Sequence, residues 1–276
     1  MKKFRKDDIT KIENAIPKKI HFVWVGGAEK SELCKKCIES WKMFMPEYEL
    51  IEWNETNFDM NCCDYIKEAY DAGKWAFVSD AMRTYILKEY GGIYFDTDVE
   101  LFAKPQGIFD IGEVVLGFDN KFLLSTGVLA TVPHHKIFET LWDKYKKIHF
   151  VNSDIEETIN TKLTFIVMDY IKKRRITNGE YLIGNVKIYP TKYFSDNTIT
   201  SQVFAVHHFT GTWKRKTELT FWQYIVFVGK FRCLRVLSLC FMGNKSYIRI
   251  NDWFWREALE KTTKNKKNKR KIYKIL

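Results

Sequence analysis

The chain has 276 residues, of which 46% are hydrophobic, so it can form one large α/β domain with a substantial core. It contains no internal repeat, no Pro/Gly/Ser-rich linker and no uncharged apolar run of the ~18 residues that a membrane-spanning helix needs. The residues before Ile16 are polar and lack the apolar core of a secretory signal peptide, so we expect a cytoplasmic protein.

The net charge of +11 is unevenly distributed, because seven lysines, one arginine and no acid lie in residues 261–276. Such a tail buries little apolar surface, and we expect it to meet anionic lipid headgroups rather than nucleic acid. Apolar stretches with interspersed basic residues precede it at 221–242. They fit either a helix in the membrane interface or a helical subdomain packed on the core. We therefore predict a catalytic domain over 1–215, a helical extension over 216–260 and the basic tail.

The six cysteines predict reduced thiols. Cys34 and Cys37 form a lone Cys-x-x-Cys within a helical pattern, with no second pair at zinc spacing, so core or surface thiols are favoured over a redox or metal role. The remaining cysteines offer no disulfide framework.

The hydrophobic pattern predicts strands that alternate with helices. The predicted strands are 20–25, 48–53, 93–95, 114–118, 186–189 and 203–208, and the predicted helices are 31–45, 62–70, 77–90, 134–149 and one that a capping box at 153–156 opens toward residue 175. This alternation predicts an α/β fold with a mostly parallel, nucleotide-binding sheet.

The most informative stretch is the helix 77–90, which ends at Gly91-Gly92 and leads into a short apolar strand. Asp80 and Arg83 lie three residues apart and therefore share a face of that helix, where they can form an ion pair or hold a ligand together. Glycine suits both the helix cap and the close turn into the strand.

Two carboxylates, Asp96 and Asp98, follow that strand. Side chains along a strand alternate, so we expect both to project to the same side, at the carboxyl end of the strand where α/β sheets bind ligands. Two carboxylates together with phosphate oxygens suit Mn²⁺ or Mg²⁺. The alternative is a pair of solvated turn residues.

These motifs resemble those of the DXD-containing glycosyltransferases of family 32. The resemblance rests on three segments in the family's order, at residues 16–27, 76–98 and 205–213. That family includes fungal mannosyltransferases and bacterial capsule or lipooligosaccharide enzymes, and its catalytic core is similar to that of the large clostridial glucosylating toxins. The resemblance implies a GT-A fold, a divalent metal and retention of the anomeric configuration.

The resemblance also implies roles for individual donor-site residues. Trp24 would stack on the nucleotide base, Asp80 and Arg83 would contact ribose, sugar hydroxyls or phosphate, and Tyr94 would lie near the donor. Each has a structural alternative: a core indole for Trp24, an exposed ion pair for Asp80 and Arg83, and a core aromatic for Tyr94.

Two further residues come from the third matching segment. His208 would complete the metal site with Asp96 and Asp98, and Trp213 would hold the diphosphate. The alternative is that His207 and His208 simply end a strand. Residues 124–128 depart from the family, which has an asparagine followed by small residues there, so the sugar-facing contacts are left open.

The sequence thus predicts a metal-dependent, retaining glycosyltransferase that moves a hexose from a UDP- or GDP-sugar to a glycan acceptor of a capsule, lipooligosaccharide or other surface polysaccharide. We expect it to lie peripherally on the inner face of the plasma membrane. The alternatives are transfer to a protein side chain, and a non-catalytic basic adaptor for membrane or nucleic acid.

Overall fold

A computed structural model describes residues 15–151, 158–194 and 204–209. The capping box, Trp213, the helical extension and the basic tail predicted above lie outside these residues. No helix among the described residues is both long and apolar enough to cross a membrane.

The structure is an alternation of strands and helices. The strands are β1 (Lys19–Val23), β2 (Glu49–Trp53), β3 (Gly92–Phe95), β4 (Val99–Leu101), β5 (Val114–Phe118), β6 (Leu124–Thr131), β7 (Tyr181–Ile183), β8 (Val186–Tyr189) and β9 (Ala205–His207). The helices are α1 (Glu32–Phe44), α2 (Asp64–Asp71), α3 (Trp75–Tyr90), α4 (Lys136–Tyr145) and α5 (Ile159–Tyr170).

Seven of these strands form one sheet in the order β2-β1-β3-β6-β5-β8-β7. The pairs β1–β2, β1–β3 and β5–β8 are parallel, whereas β6 and β7 pair antiparallel with their neighbours. Five of the seven strands therefore run in one direction, which confirms the predicted mostly parallel sheet. β4 and β9 form a separate antiparallel pair.

Helices cover both faces of the sheet, so it is buried between two hydrophobic clusters. One cluster joins the sheet to α2, α3, α4 and α5. The other joins it to α1 and to the β4–β9 pair, where Trp41 donates its indole N–H to the carbonyl of Val99 at 2.7 Å. This second cluster ties the start of β4 to α1.

The described cysteines confirm the predicted free thiols. Cys34 and Cys37 are buried in α1, and burial raises the pKa of Cys37 to about 12. Cys62 and Cys63 are also free.

The double glycine determines how α3 joins β3. Gly91 has φ 60° and ψ −157°, a conformation open essentially to glycine alone. It is not the left-handed cap that the sequence suggested. A Cβ on Gly91 would lie 2.6 Å from Pro133, and one on Gly92 would lie 2.9 Å from the carbonyl oxygen of Lys19. Both glycines are therefore needed for β3 to enter the sheet directly after the helix.

The sequence pattern missed three strands, β4, β6 and β7. β4 and β7 have only three residues each, which is too short to show a period. All eight residues of β6 are buried, so its sequence has no regular alternation of polar and apolar side chains. β6 also contains residues 124–128, the segment that departs from the family pattern.

Candidate metal and donor site

The two DXD carboxylates lie in a turn rather than on a strand. β3 ends at Phe95, and the backbone N–H of Val99 donates to the carbonyl of Asp96 at 2.9 Å before β4 begins. The expectation that strand alternation aligns Asp96 and Asp98 is therefore wrong. The tight turn, not the pleat, brings the two side chains to one place at the carboxyl edge of the sheet.

A histidine from the far end of the described chain completes this cluster. One ligand atom from each of Asp96, Asp98 and His207 lies within 4.8 Å of the others. His207 Nε2 lies 3.0 Å from Asp98 Oδ1 and 3.9 Å from Asp96 Oδ2. β9 places the imidazole there because His207 pairs with Val99, directly after the turn.

The electrostatics of His207 reflect these two carboxylates. Burial alone would lower the pKa of His207, but the hydrogen bond with Asp98 and the negative charges of Asp96 and Asp98 raise it above its ordinary value. Its other ring nitrogen, Nδ1, is buried and has no hydrogen-bond partner in the described residues. A cation bound between the two carboxylates would replace the proton on Nε2 of His207.

His208, the histidine expected in this cluster, lies elsewhere. Its Nε2 is 2.9 Å from Glu100 Oε2, and Lys36 Nζ is 2.9 Å from Glu100 Oε1. Burial alone would raise the pKa of Glu100. The interactions with Lys36 and His208 together have the larger effect, so the pKa lies below its ordinary value. β9 ends at His207. The backbone N–H of the next residue, His208, donates to the carbonyl of Asp98 at 2.9 Å, but its side chain contacts Glu100 and not the two DXD carboxylates. His207 replaces His208 in the candidate metal site.

The residues of the cluster fit a divalent cation. Two carboxylates and one imidazole are donors that Mn²⁺ accepts, and carboxylates also suit Mg²⁺. The opposite wall is Gly127, where an added Cβ would lie 2.8 Å from the His207 ring and 3.2 Å from Asp96 Oδ2. The absence of a side chain at Gly127 keeps this space open.

Asp80 and Arg83 meet as their spacing predicts, but the pair is not an exposed one. Arg83 is 4% exposed and lies 3.0 Å from Asp80 Oδ1 and 3.0 Å from Asp96 Oδ1. It thus connects helix α3 to the DXD turn. Burial alone would lower the pKa of Arg83, but the charges of Asp96, Tyr94 and Asp80 raise it, so the guanidinium stays charged.

Tyr94 lies beneath this arginine. Its ring centroid is 4.5 Å from the guanidinium carbon of Arg83, and its hydroxyl donates to Asp96 Oδ1 at 3.3 Å. The side chain is buried, and burial raises the pKa of the phenol. The structure therefore places Tyr94 both in the core and in contact with Asp96 of the DXD motif.

Trp24 follows β1 at the same edge of the sheet. It is half-buried, donates its indole N–H to the carbonyl of Ala28 at 2.7 Å, and has Lys30 Nζ 5.7 Å from its ring. A second indole that the sequence did not reveal, Trp75, is 40% exposed at the start of α3 and packs on Gly26, where a Cβ would lie 2.6 Å from it. The only sequence signal for Trp75 is its place five residues before Asp80.

The comparisons with known proteins agree with this site. Residues 31–114 match the family model described as "Glycosyltransferase sugar-binding region containing DXD motif". This segment is similar to that DXD-containing glycosyltransferase region. It contains Asp80, Arg83, Asp96 and Asp98, whereas Trp24 and His207 lie outside the matched span.

A curated relative supports the same assignment over a longer part of the chain. A protein of Acanthamoeba polyphaga mimivirus, named an uncharacterised glycosyltransferase, is 27% identical over 197 residues, which cover 66% of this chain and 76% of the relative. The similarity to that relative therefore extends beyond the span of the family model.

Two solved structures that are similar to part of the chain are described as glycosyltransferases. The PaToxG glycosyltransferase superposes with a TM-score of 0.46 at 17% identity over 60% of this chain and 74% of its own. A glycosyltransferase involved in glycosylation of the major capsid of PBCV-1 gives 0.43 at 10% identity over 69% of this chain and 94% of its own.

Proposed function

We propose that this glycosyltransferase region is metal-dependent and moves a hexose from a UDP- or GDP-sugar to a surface glycan with retention of anomeric configuration. The observation that supports the proposal is the cluster of Asp96, Asp98 and His207. Three potential ligands converge at the edge where an α/β sheet binds nucleotides.

Asp96, Asp98 and His207 would hold the cation. When bound there, a divalent ion supplies Lewis-acid stabilisation of the departing diphosphate. Asp98 would be the central ligand, since its Oδ1 already contacts His207 Nε2 at 3.0 Å. Releasing the His207 proton would free that nitrogen for coordination, because a neutral imidazole is the ligand form.

The remaining residues would bind and orient the donor. Trp24 offers a half-exposed indole face to the base, and the side chain of Asp80 is 21% exposed beside the DXD turn, where it would orient sugar hydroxyls. Both lie at the carboxyl edge of the sheet. Trp213 would complete the diphosphate site.

Retention would proceed by attack of the acceptor hydroxyl on the same face of the sugar from which the diphosphate departs. The carboxylates of Asp80 and Asp96 are both paired with Arg83, so neither is an unrestrained nucleophile. Trapping of a stable glycosyl-enzyme adduct with a slow donor analogue, detected by mass spectrometry, would contradict this route.

The experiment for the proposed activity is donor hydrolysis by the purified full chain. The protein is incubated with Mn²⁺ or Mg²⁺ and a panel of UDP- and GDP-sugars, and the released UDP or GDP is measured with and without EDTA. We expect release from at least one donor, its loss with EDTA, and its loss in Asp98→Asn, which removes a charge without changing shape. Release that persists in Asp98→Asn would rule out the metal role of Asp98. No release and no metal-dependent nucleotide binding would favour the non-catalytic adaptor.

We also propose a lipid-carried acceptor at the inner face of the membrane. The support is the excess of positive charge in residues 261–276, which would attract anionic headgroups.

A further inference from the structure

Five protein oxygen atoms lie within 3.2 Å of the nitrogens of the Arg83 guanidinium. Nε donates to the carbonyl of Ser79 at 3.2 Å, and Nη2 contacts Ser79 Oγ at 3.1 Å and Asp80 Oδ1 at 3.0 Å. Nη1 contacts the carbonyl of Thr126 at 2.8 Å and Asp96 Oδ1 at 3.0 Å. Arginine has five N–H donors in a fixed planar fork, and the protein places as many acceptor oxygens around them.

The site also gives Arg83 little access to solvent. The side chain is 5% exposed, and Tyr94 covers one face of the guanidinium with its ring centroid 4.5 Å away. A phosphate oxygen would have to displace a protein acceptor in order to reach this cation. Displacing the carbonyl of Thr126 would leave a buried acceptor without its donor.

The contacts of Arg83 also fix which oxygen of Asp96 faces the cluster. Oδ1 accepts from both Arg83 Nη1 and the hydroxyl of Tyr94. Oδ2 is the oxygen on the side of His207, 3.9 Å from Nε2. With Oδ1 held on one side, the carboxylate cannot turn, and Oδ2 stays directed at the centre of the cluster.

We infer that Arg83 is a positioning residue that orients Asp96 for the cation and ties it to Asp80, and that it is not a ligand of the donor phosphate. This inference rests on the proposed function and departs from the role that the family resemblance implies. It assigns the task of neutralising the diphosphate to the cation and to groups other than Arg83.

The first experiment measures Mn²⁺ affinity without any nucleotide, by electron paramagnetic resonance of free Mn²⁺. Arg83→Met should weaken Mn²⁺ binding by about 10–100-fold, the usual effect of losing a group that orients a metal ligand. Arg83→Lys keeps the charge but not the fork, so it should also lose affinity. Arg174→Met, an exposed arginine outside the site, is the matched control and should bind Mn²⁺ as the wild type does.

Tyr94→Phe provides a variant that keeps the core packed. It removes only the hydroxyl that donates to Asp96 Oδ1, and it should weaken Mn²⁺ binding in the same direction as Arg83→Met but by less. This variant tests the inference even if Arg83→Met fails to fold, which circular dichroism would reveal.

The second experiment follows the arginine itself in the wild type. Nitrogen-15 spectra of the Arg83 side chain are recorded with Mg²⁺, which is diamagnetic and does not broaden nearby resonances as Mn²⁺ would, before and after addition of UDP or GDP. A positioning residue should keep its Nη resonances and slow hydrogen exchange when nucleotide binds.

The outcomes separate this inference from the proposed function. Unchanged Mn²⁺ affinity in Tyr94→Phe and in a folded Arg83→Met, with weakened nucleotide binding, would overturn the positioning role, as would Nη resonances that shift on nucleotide addition. A wild-type protein that binds no Mn²⁺ would instead refute the metal site, and the inference with it.

Discussion

His207 Nε2 lies 3.0 Å from Asp98 Oδ1, which joins the turn after β3 to the last described strand. The neighbouring histidine, His208, follows the end of β9, and its side chain contacts Glu100. Two adjacent residues of the same type thus have different partners, and the candidate metal site includes one of them.

The two histidines therefore predict opposite results on substitution. His207→Ala should weaken Mn²⁺ binding by about tenfold or more, ~1.4 kcal/mol, because it removes one of three ligand groups. His208→Ala should leave Mn²⁺ affinity within about twofold of the wild type. Titration calorimetry with Mn²⁺ measures both, and equal losses in the two variants would contradict the assignment of His207.

Gly127→Ala should reduce donor hydrolysis by at least about tenfold while the protein stays folded. An added methyl group would lie 2.8 Å from the His207 ring, and the backbone of β6 has no room to retreat because β6 is buried between β3 and β5. The measurement is nucleotide release with Mn²⁺. Gly179→Ala is the matched control, because the nearest atom to its Cβ is 3.4 Å away and the site is remote; an equal loss there would mean that the effect is not local.

Stability should fall as the pH decreases from 7 to 5, because of His21. Its Nε2–H donates to the carbonyl of Gly91 at 2.9 Å, and its Nδ1 accepts from the indole N–H of Trp53 at 3.0 Å. A second ring proton would have to bind Nδ1, where it would face the N–H donor of Trp53. Burial, opposed in part by the Gly91 hydrogen bond and assisted by the charge of Lys19, lowers the pKa of His21 to about 4.

The direction of the pH dependence follows from which state, folded or unfolded, binds the proton. Between pH 6.5 and 4 the unfolded state takes up a proton that the folded state does not, so stability is present above pH 6.5 and is lost as the pH falls. The contribution of His21 to the free energy of unfolding should drop by about 2 kcal/mol between pH 7 and 5, while the raised pKa of His207 acts in the opposite direction. Urea unfolding at several pH values measures this change. His21→Gln should flatten the curve in this range, whereas the exposed His134→Gln should not.

Deletion of residues 261–276 should weaken binding to liposomes that contain anionic lipid and leave donor hydrolysis intact. The segment carries eight of the eleven excess positive charges, each worth about 1 kcal/mol near an anionic surface. Co-sedimentation with anionic and with neutral liposomes measures the effect. Unchanged binding to the anionic liposomes would mean that the lysines have another role.

The sequence by itself determined the elements that carry the DXD motif. The period of α3, the double glycine and the apolar run of β3 are local features, since each depends on the residues nearest to it in the chain. For the same reason the spacing of Asp80 and Arg83 was enough to predict their ion pair, which the structure places at 3.0 Å. The mostly parallel sheet followed from the alternation of strands and helices.

Only the tertiary structure decided the composition of the site. The choice of His207 over His208 depends on how β9 pairs with β4, and the open wall at Gly127 depends on a strand with no polar alternation to reveal it. Likewise, the acceptor oxygens around Arg83 come from α3, β6 and the DXD turn. Contacts between residues distant in the chain are set by strand pairing and burial, and the sequence pattern of any one segment contains neither.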